Sequence, residues 1–421
     1  MRVLLVHQNY PGQFLHLAPA LRERGHDVTA LTDDANARPI REQHARYSYA
    51  EPQVTGVGAT YTRHGERGLA AARTALALRE RHGYVPDVIF GHPGWGETLF
   101  LRDVWPEARL LTYAEFCYRP AGLDTGFDPE FSDDSPGRRM GVTARQPHLL
   151  QAMALSDAAV APTRWQAQSF PPLFAPLISV IHDGIDTDHV TPDPEARVTL
   201  GQGGPVLRAG DEVLTFVSRR LEPYRGYHVF MRSLPEILAA RPQAHVVIVG
   251  AEGQSYGAAP PEGAPSWKER FHAEVADRLD PRRVHFTGSL SYAQYLAVLR
   301  VSRVHAYLTY PFVLSWSLLE AMSAGAHVVA SRTPPVEEVI ADGETGQLVD
   351  FFDLDAWRGK LIEALATPRA ADHLRVAARR KVRDSYDLRR VCLPRMTAFV
   401  ETAGAGYGAG PPSNGGAVPG G

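Results

Sequence analysis

The chain is poor in cysteine, in excess charge of either sign, and in long apolar runs. Its two cysteines, Cys117 and Cys392, cannot build a disulfide framework, and no Cys/His cluster has zinc spacing. Seventeen histidines are scattered without an H-E-x-x-H pattern, so spacing supports no metal site. A formal net charge of -3, with no basic stripe, gives no reason to expect nucleic acid as a partner. The Arg-rich run Ala378-Arg-Arg-Lys-Val-Arg383 reads as a solvated helix face. No stretch reaches the roughly twenty apolar residues of a membrane span. The opening Met1-Arg-Val-Leu-Leu-Val-His7 is too short for a signal h-region and has no small-residue cleavage site. A cytoplasmic protein is expected, with peripheral membrane contact left open.

What is there is an ordinary globular composition, 44% hydrophobic and 22% charged, in 421 residues, enough for two domains. Short β-type runs alternate with helix-like stretches in two series. In the first, residues 2–7 are near-continuously apolar, as in a strand buried on both faces. An amphipathic helix over 14–24, ended by Gly25, and a strand at 27–31 complete a βαβ unit. Further strands are expected at 87–91, 109–113, 158–162 and 178–181, with a helix over 67–82. Residues 120–145, rich in Gly, Pro, Asp and Phe, break this rhythm and read as an ordered irregular loop.

The second series has strands at 212–218, 245–250, 284–287, 304–308 and 327–330, with helices over 229–241, 267–279 and 292–300. Residues 183–210 link the two, 353–400 are helical, and the Gly/Pro-rich end has no apolar period. The expected organisation is a Rossmann-like domain over 1–185, a second over 186–385, a C-terminal helix over 386–402 returning to the first, and a disordered tail over 403–421.

The densest signal lies between the last two strands. Ser317-Leu-Leu-Glu320 has the Ser-x-x-Glu pattern of a capping box, so a helix should begin near Ser317, and Gly325 should stop it. A helix N-terminus at the end of a parallel sheet offers N–H groups and a positive dipole end to an anion such as phosphate.

Four motifs, in order, resemble those of family-four retaining glycosyltransferases. Val217-Ser-Arg-Arg220-Leu-Glu-Pro-Tyr-Arg225-Gly226 is similar to their G-R-L-x-x-x-K-G, and Ile181-His-Asp-Gly-Ile-Asp186 to their P-N-G-V-D turn. Leu318-Leu-Glu320-Ala-Met-Ser-Ala-Gly325 resembles L-L-E-A-M-A-C-G. Val336-Glu-Glu338-Val-Ile-Ala-Asp-Gly343-Glu-Thr-Gly346-Gln-Leu-Val349 resembles P-E-V-I-x-D-G-x-T-G-x-L-V. His92-Pro-Gly-Trp-Gly-Glu97 and the stretch from Phe116 to Phe131 look like a bacterial subgroup of that family.

The resemblance implies an α/β GT-B architecture, two Rossmann-like doubly wound domains with the active site in the cleft between them. It implies a hexosyltransferase-like, metal-independent enzyme that takes a nucleotide sugar as substrate and needs no cofactor. Arg220 and Arg225 would then grip the departing diphosphate, Arg225 standing where the family has lysine. The amides near Ser317 and Leu318 would add donors, and Glu320 would accept from the ribose hydroxyls. Gly288 would lie by the nucleobase, Gly12 by the donor phosphate or the acceptor, and Glu338 either near the donor or at a helix cap.

Two departures stand out. The first glutamate of the family's E-x7-E pair is Phe312 here, which leaves the backbone of Val313, Leu314, Ser315 and Trp316 to meet the donor sugar. The histidine common beside the reacting carbon is absent, and Glu115 or His92 could take a polar role there. The acceptor, whether natural product, polysaccharide or lipid-linked sugar, is not readable. A nucleotide-sugar epimerase on the same fold and a non-catalytic sugar-nucleotide-binding protein are the alternatives.

Overall fold

In a computed structural model, which describes residues 1–132, 135–201 and 203–405, the chain forms two parallel sheets with helices on both faces. The first sheet contains β1 (Arg2–Val6), β2 (Asp27–Asp33), β3 (Gln43–Tyr47), β4 (Val88–Gly91), β5 (Arg109–Tyr113), β6 (Ala158–Ala161) and β7 (Ile178–Val180). Their order is β3-β2-β1-β4-β5-β6-β7. A small antiparallel ribbon, β8 (Arg197–Thr199) with β9 (Val206–Arg208), lies between the lobes in sequence.

The second sheet contains β10 (Val213–Arg220), β11 (His245–Ala251), β12 (Val284–Gly288), β13 (Val304–Tyr307), β14 (His327–Ser331) and β15 (Gln347–Val349), in the order β12-β11-β10-β13-β14-β15. That is the doubly wound Rossmann order. Ligands in such sheets bind outside the carboxyl ends of the strands where the winding reverses, here between β1 and β4 and between β10 and β13. The central strands are near-continuous apolar runs because helices cover both faces: Val3, Leu4, Leu5 and Val6 are fully buried.

The strand–helix alternation follows the sequence, with local differences. The first amphipathic helix is Leu17–Glu23, preceded by a 3-10 turn, Gly12–Phe14. The long helix Ala59–His82 begins eight residues before the expected 67. Within 120–145, the segment expected to be irregular throughout, Pro136–Thr143 is a helix capped by Ser135. Residues 183–210, read as a linker, hold the β8–β9 ribbon.

The chain crosses between the lobes twice, and the crossings are stitched together. Ile185 N–H donates to Tyr386 O at 2.8 Å, and Leu388 N–H donates to Ile185 O at 2.8 Å. The final helix, Leu393–Ala405, then packs Met396 and Val400 into the first lobe's core with Val3, Phe90 and Leu111. Arg24 clamps its Glu401 through two bonds of 2.7 Å. Residues 403–405, expected in the disordered tail, therefore belong to this helix, and 406–421 lie outside the described residues. Among the described residues, no helix is long and apolar enough to cross a membrane.

Candidate active site

On the C-terminal lobe, the site is built where β10 and β13 diverge. Arg220 is the last residue of β10, and its guanidinium donates to the carbonyl of Glu252, just beyond β11. Arg225 ends the 3-10 turn Pro223–Arg225 and is only 8% exposed. It donates to Thr309 Oγ1 at 2.8 Å and to Val313 O at 2.9 Å, both in the loop after β13. The next residue must be glycine: Gly226 has φ +66°, and a Cβ there would lie 2.3 Å from Leu308 Cβ. Among the described residues, neither guanidinium has a carboxylate within ion-pair distance; both bond to neutral oxygens.

The loop after β13 leads into the helix Trp316–Ala324. Here the sequence reading needs correction. The cap is Ser315, not Ser317: its side chain accepts from Ser317 N–H at 3.3 Å, while Leu318 N–H donates to Ser315 O at 3.2 Å. The two amides expected to be offered to a diphosphate are thus engaged in the first turn. Glu320 is not part of a capping box. Its buried carboxylate accepts from Tyr292 Oη at 2.8 Å and Tyr295 Oη at 2.6 Å. Burial raises its pKa, and the two tyrosine bonds oppose the rise. Gly288 closes β12 at the same sheet edge.

On the N-terminal lobe, His92 follows β4 and Glu115 follows β5. His92 Nδ1 accepts from Gly94 N–H at 3.1 Å, which leaves Nε2 facing Glu115 Oε2 at 3.4 Å. Gln13 donates to the other carboxylate oxygen at 3.1 Å. Burial works against ionising Glu115, but His92, Gln13 and the charge of Arg225 outweigh it and lower its pKa. Gly12 has φ +49°, and a Cβ there would sit 2.5 Å from His7 Nε2, so this position lets the loop close over the His7 ring. Glu97, which ends the stretch begun by His92, is fully buried and accepts from Tyr47 Oη at 2.8 Å.

The two sides meet through Asp183, to which the sequence reading gave no role, and through Trp316, Glu338 and Phe312. Asp183 accepts from Tyr113 Oη of β5 at 2.7 Å and from Trp316 Nε1 of the C-terminal lobe at 2.9 Å. Glu338 caps a helix of the opposite lobe, accepting from Arg164 and Trp165 N–H at 2.8 Å each. Phe312 is buried, its ring edge-on to Phe116 at 5.0 Å and to Tyr224 at 5.4 Å, with Tyr256 at 4.7 Å.

The stretch after β5 crosses the cleft and docks on the C-terminal lobe. Asp124 accepts from Tyr224 Oη at 2.7 Å. Asp128 accepts from Tyr310 Oη at 2.7 Å and faces His228 Nε2 at 3.1 Å, in a pair whose side chains are each 2% exposed. Arg232 holds Glu130 through two bonds of 2.7 Å. Phe127 packs on Phe351 and Phe352, and Phe131 on His228, Trp267 and Phe271. The Asp and Phe residues of this segment were visible in the sequence, but their partners lie far along the chain, 100 residues away for Tyr224 and 182 for Tyr310.

Two doubly wound lobes joined by a twice-crossed hinge, with arginines at one switch point, define the GT-B class. Solved structures agree: sucrose-phosphate synthase from Thermosynechococcus elongatus superposes with a TM-score of 0.70 at 17% identity, covering 96% of this chain and 100% of that one. Anabaena HepE in complex with UDP and glucose gives 0.67 at 15% identity, with 96% and 100% covered.

Residues 24–190 match the model of the glycosyl transferase family 4 group, and residues 205–381 that of the glycosyl transferases group 1. The chain belongs to this glycosyltransferase family. It is 28% identical over 243 residues to a GDP-mannose-dependent alpha-(1-6)-phosphatidylinositol monomannoside mannosyltransferase of Mycolicibacterium smegmatis, which spans 56% of this chain and 59% of the relative. It is 27% identical over 221 residues to a D-inositol 3-phosphate glycosyltransferase of Segniliparus rotundus, spanning 52% and 46%. The chain thus covers about half the length of these curated relatives.

Proposed function

We propose that the protein transfers a sugar from a nucleotide-sugar donor to an acceptor hydroxyl. The observation that carries this reading is the pair of arginines at the β10–β13 switch point, hydrogen-bonded among the described residues to neutral oxygens. Breaking the sugar–diphosphate bond concentrates negative charge on the leaving phosphate, and preplaced cations at that spot lower the barrier. Arg220 and Arg225 supply that charge. Glu320 takes the ribose hydroxyls, exchanging its tyrosine bonds for them, and the backbone of 313–316 faces the donor sugar. Two comparisons support such a donor: a relative is named for its dependence on GDP-mannose, and HepE has been solved with UDP-glucose.

Glu115 and His92, at the carboxyl ends of the opposite sheet, orient the acceptor. The reaction proceeds with retention by front-face attack: the acceptor oxygen bonds to the anomeric carbon as the carbon–phosphate oxygen bond breaks, and the leaving phosphate takes the acceptor's proton. No strong protein base is then required. Inositol-bearing acceptors, which the relatives' names contain, are the first class to try.

The test is donor-dependent release of free nucleoside diphosphate across a panel of UDP-, GDP- and ADP-sugars. Release by the wild type and its loss in Arg220→Ala are expected. A wild type that binds none of these donors overturns the reading.

A further inference from the structure

Arg225 is held by two loops, and each loop is gripped from the other lobe. Its guanidinium bonds to Thr309 and Val313. The residue before it, Tyr224, gives its hydroxyl to Asp124; the residue after Thr309, Tyr310, gives its hydroxyl to Asp128. The two tyrosines are themselves joined, Tyr310 N–H donating to Tyr224 O at 3.0 Å with ring centroids 4.8 Å apart. Asp124 and Asp128 both belong to the segment that leaves β5 of the N-terminal lobe, and both are buried.

We propose that Asp124 and Asp128 are positioning residues for Arg225: the strap from the N-terminal lobe sets the phosphate-binding cation of the C-terminal lobe. This deepens the nucleotide-sugar reading and rests on it. A buried Arg225 cannot reorient alone. Its side chain follows the 223–226 turn and the 309–313 loop, and the strap fixes both through one hydroxyl each. The diphosphate site is therefore complete only while the N-terminal lobe is in place, which couples donor binding to the lobe that holds Glu115 and His92.

The geometry also supplies an internal control. Glu130 docks the same strap through Arg232, yet it contacts neither Tyr224 nor Tyr310. Removing its charge weakens an exposed clasp on Arg232 and keeps both the backbone Glu130 N–H bond to Asp128 Oδ1 at 3.0 Å and the two aspartate–tyrosine bonds that frame Arg225.

The experiment measures binding of UDP, GDP, ADP and dTDP by calorimetry to the full chain, with thermal unfolding as a check on folding. Asp124→Ala is expected to weaken nucleoside diphosphate binding about tenfold, the worth of one hydrogen bond to a charged group. Asp124→Asn, which keeps an acceptor oxygen for Tyr224, restores most of it. Tyr310→Phe, which keeps the ring, weakens binding as Asp124→Ala does and covers the case in which the alanine variant fails to fold. Glu130→Gln leaves affinity at the wild-type level.

Wild-type affinity in Asp124→Ala and Tyr310→Phe, or an equal loss in Glu130→Gln, overturns the positioning role. If Arg225→Ala still abolishes binding in that case, the nucleotide-sugar reading stands without it. A wild type that binds none of the four diphosphates removes both.

Discussion

Tyr113 donates its hydroxyl to Asp183 at 2.7 Å, and this bond ties the end of β5 to the turn that enters the second lobe. The other oxygen of the same carboxylate accepts from Trp316, the first residue of the helix at the candidate phosphate site. One acidic side chain therefore spans hinge, first lobe and second lobe.

Burial pushes the Asp183 carboxyl up to about 6 from an ordinary 3.8, against the pull of its bonds from Tyr113 and Trp316. Between those values the folded protein binds more protons than the unfolded chain. Its contribution is greatest below pH 3.8 and is lost as pH rises towards 6. Relative to Asp183→Asn, wild-type stability should fall by roughly 2–3 kcal/mol across that window, a shift of about two pKa steps. Urea unfolding at a series of pH values reads this. Parallel curves for the two proteins would count against it.

Glu338 caps the helix Arg164–Ser169 from the opposite lobe. Glu338→Ala should cost about 1 kcal/mol, because the first two amides of the helix, whose N-cap is Thr163, lose their acceptor. Limited proteolysis of the variant should also cut faster at the hinge. An unchanged unfolding free energy would show that water replaces the carboxylate without loss.

Arg225 has two neutral partners and little exposure. Arg225→Ala should reduce nucleoside diphosphate release about a hundredfold or more, as loss of a preorganised charge does. Arg225→Lys keeps the charge but loses the planar guanidinium, whose Nη1 makes both bonds and whose remaining N–H groups match phosphate oxygens in pairs, so an intermediate loss is expected. Steady-state rates for the two variants check this ranking. Equal rates for alanine and lysine would deny the charge its role.

Glu320 bears on the nucleoside. Glu320→Ala should erase any preference for a ribonucleoside diphosphate over its 2′-deoxy counterpart, and competition binding of the two measures that. Tyr295→Phe removes one of the bonds that stabilise the carboxylate, so the pKa of Glu320 should rise further. Retained discrimination in Glu320→Ala would move ribose recognition elsewhere.

The doubly wound strands were legible because parallel strands covered on both faces are apolar throughout, as in β1, β4 and β14. The arginines were legible because Arg220 and Arg225 follow such a strand in a recognisable motif. β3, Gln43–Tyr47, was missed because an edge strand with mostly polar side chains carries no such period. The helix start near Ser317 holds, but its cap was placed two residues late because Ser315 and Ser317 both suit the role, and their hydroxyls in fact share a 2.9 Å bond. Glu320 looked like half of a capping box, but tertiary partners in the helix Tyr292–Val301 won its carboxylate. Local spacing carries no trace of that competition. The same holds for Asp124 and Asp128, which are ordinary loop aspartates until Tyr224 and Tyr310 arrive from another lobe.

The helix Leu393–Ala405 has an outcome for biosynthesis. It seals a core whose other walls come from the first lobe, Val3 to Ile181, and Gly404 comes to rest beside Met1. The first lobe leaves the ribosome some two hundred residues ahead of its own lid, with Val3, Phe90 and Leu111 still uncovered on that side. Its packing waits for that helix, and a recombinant fragment ending at the hinge would expose an apolar face that the folded chain covers.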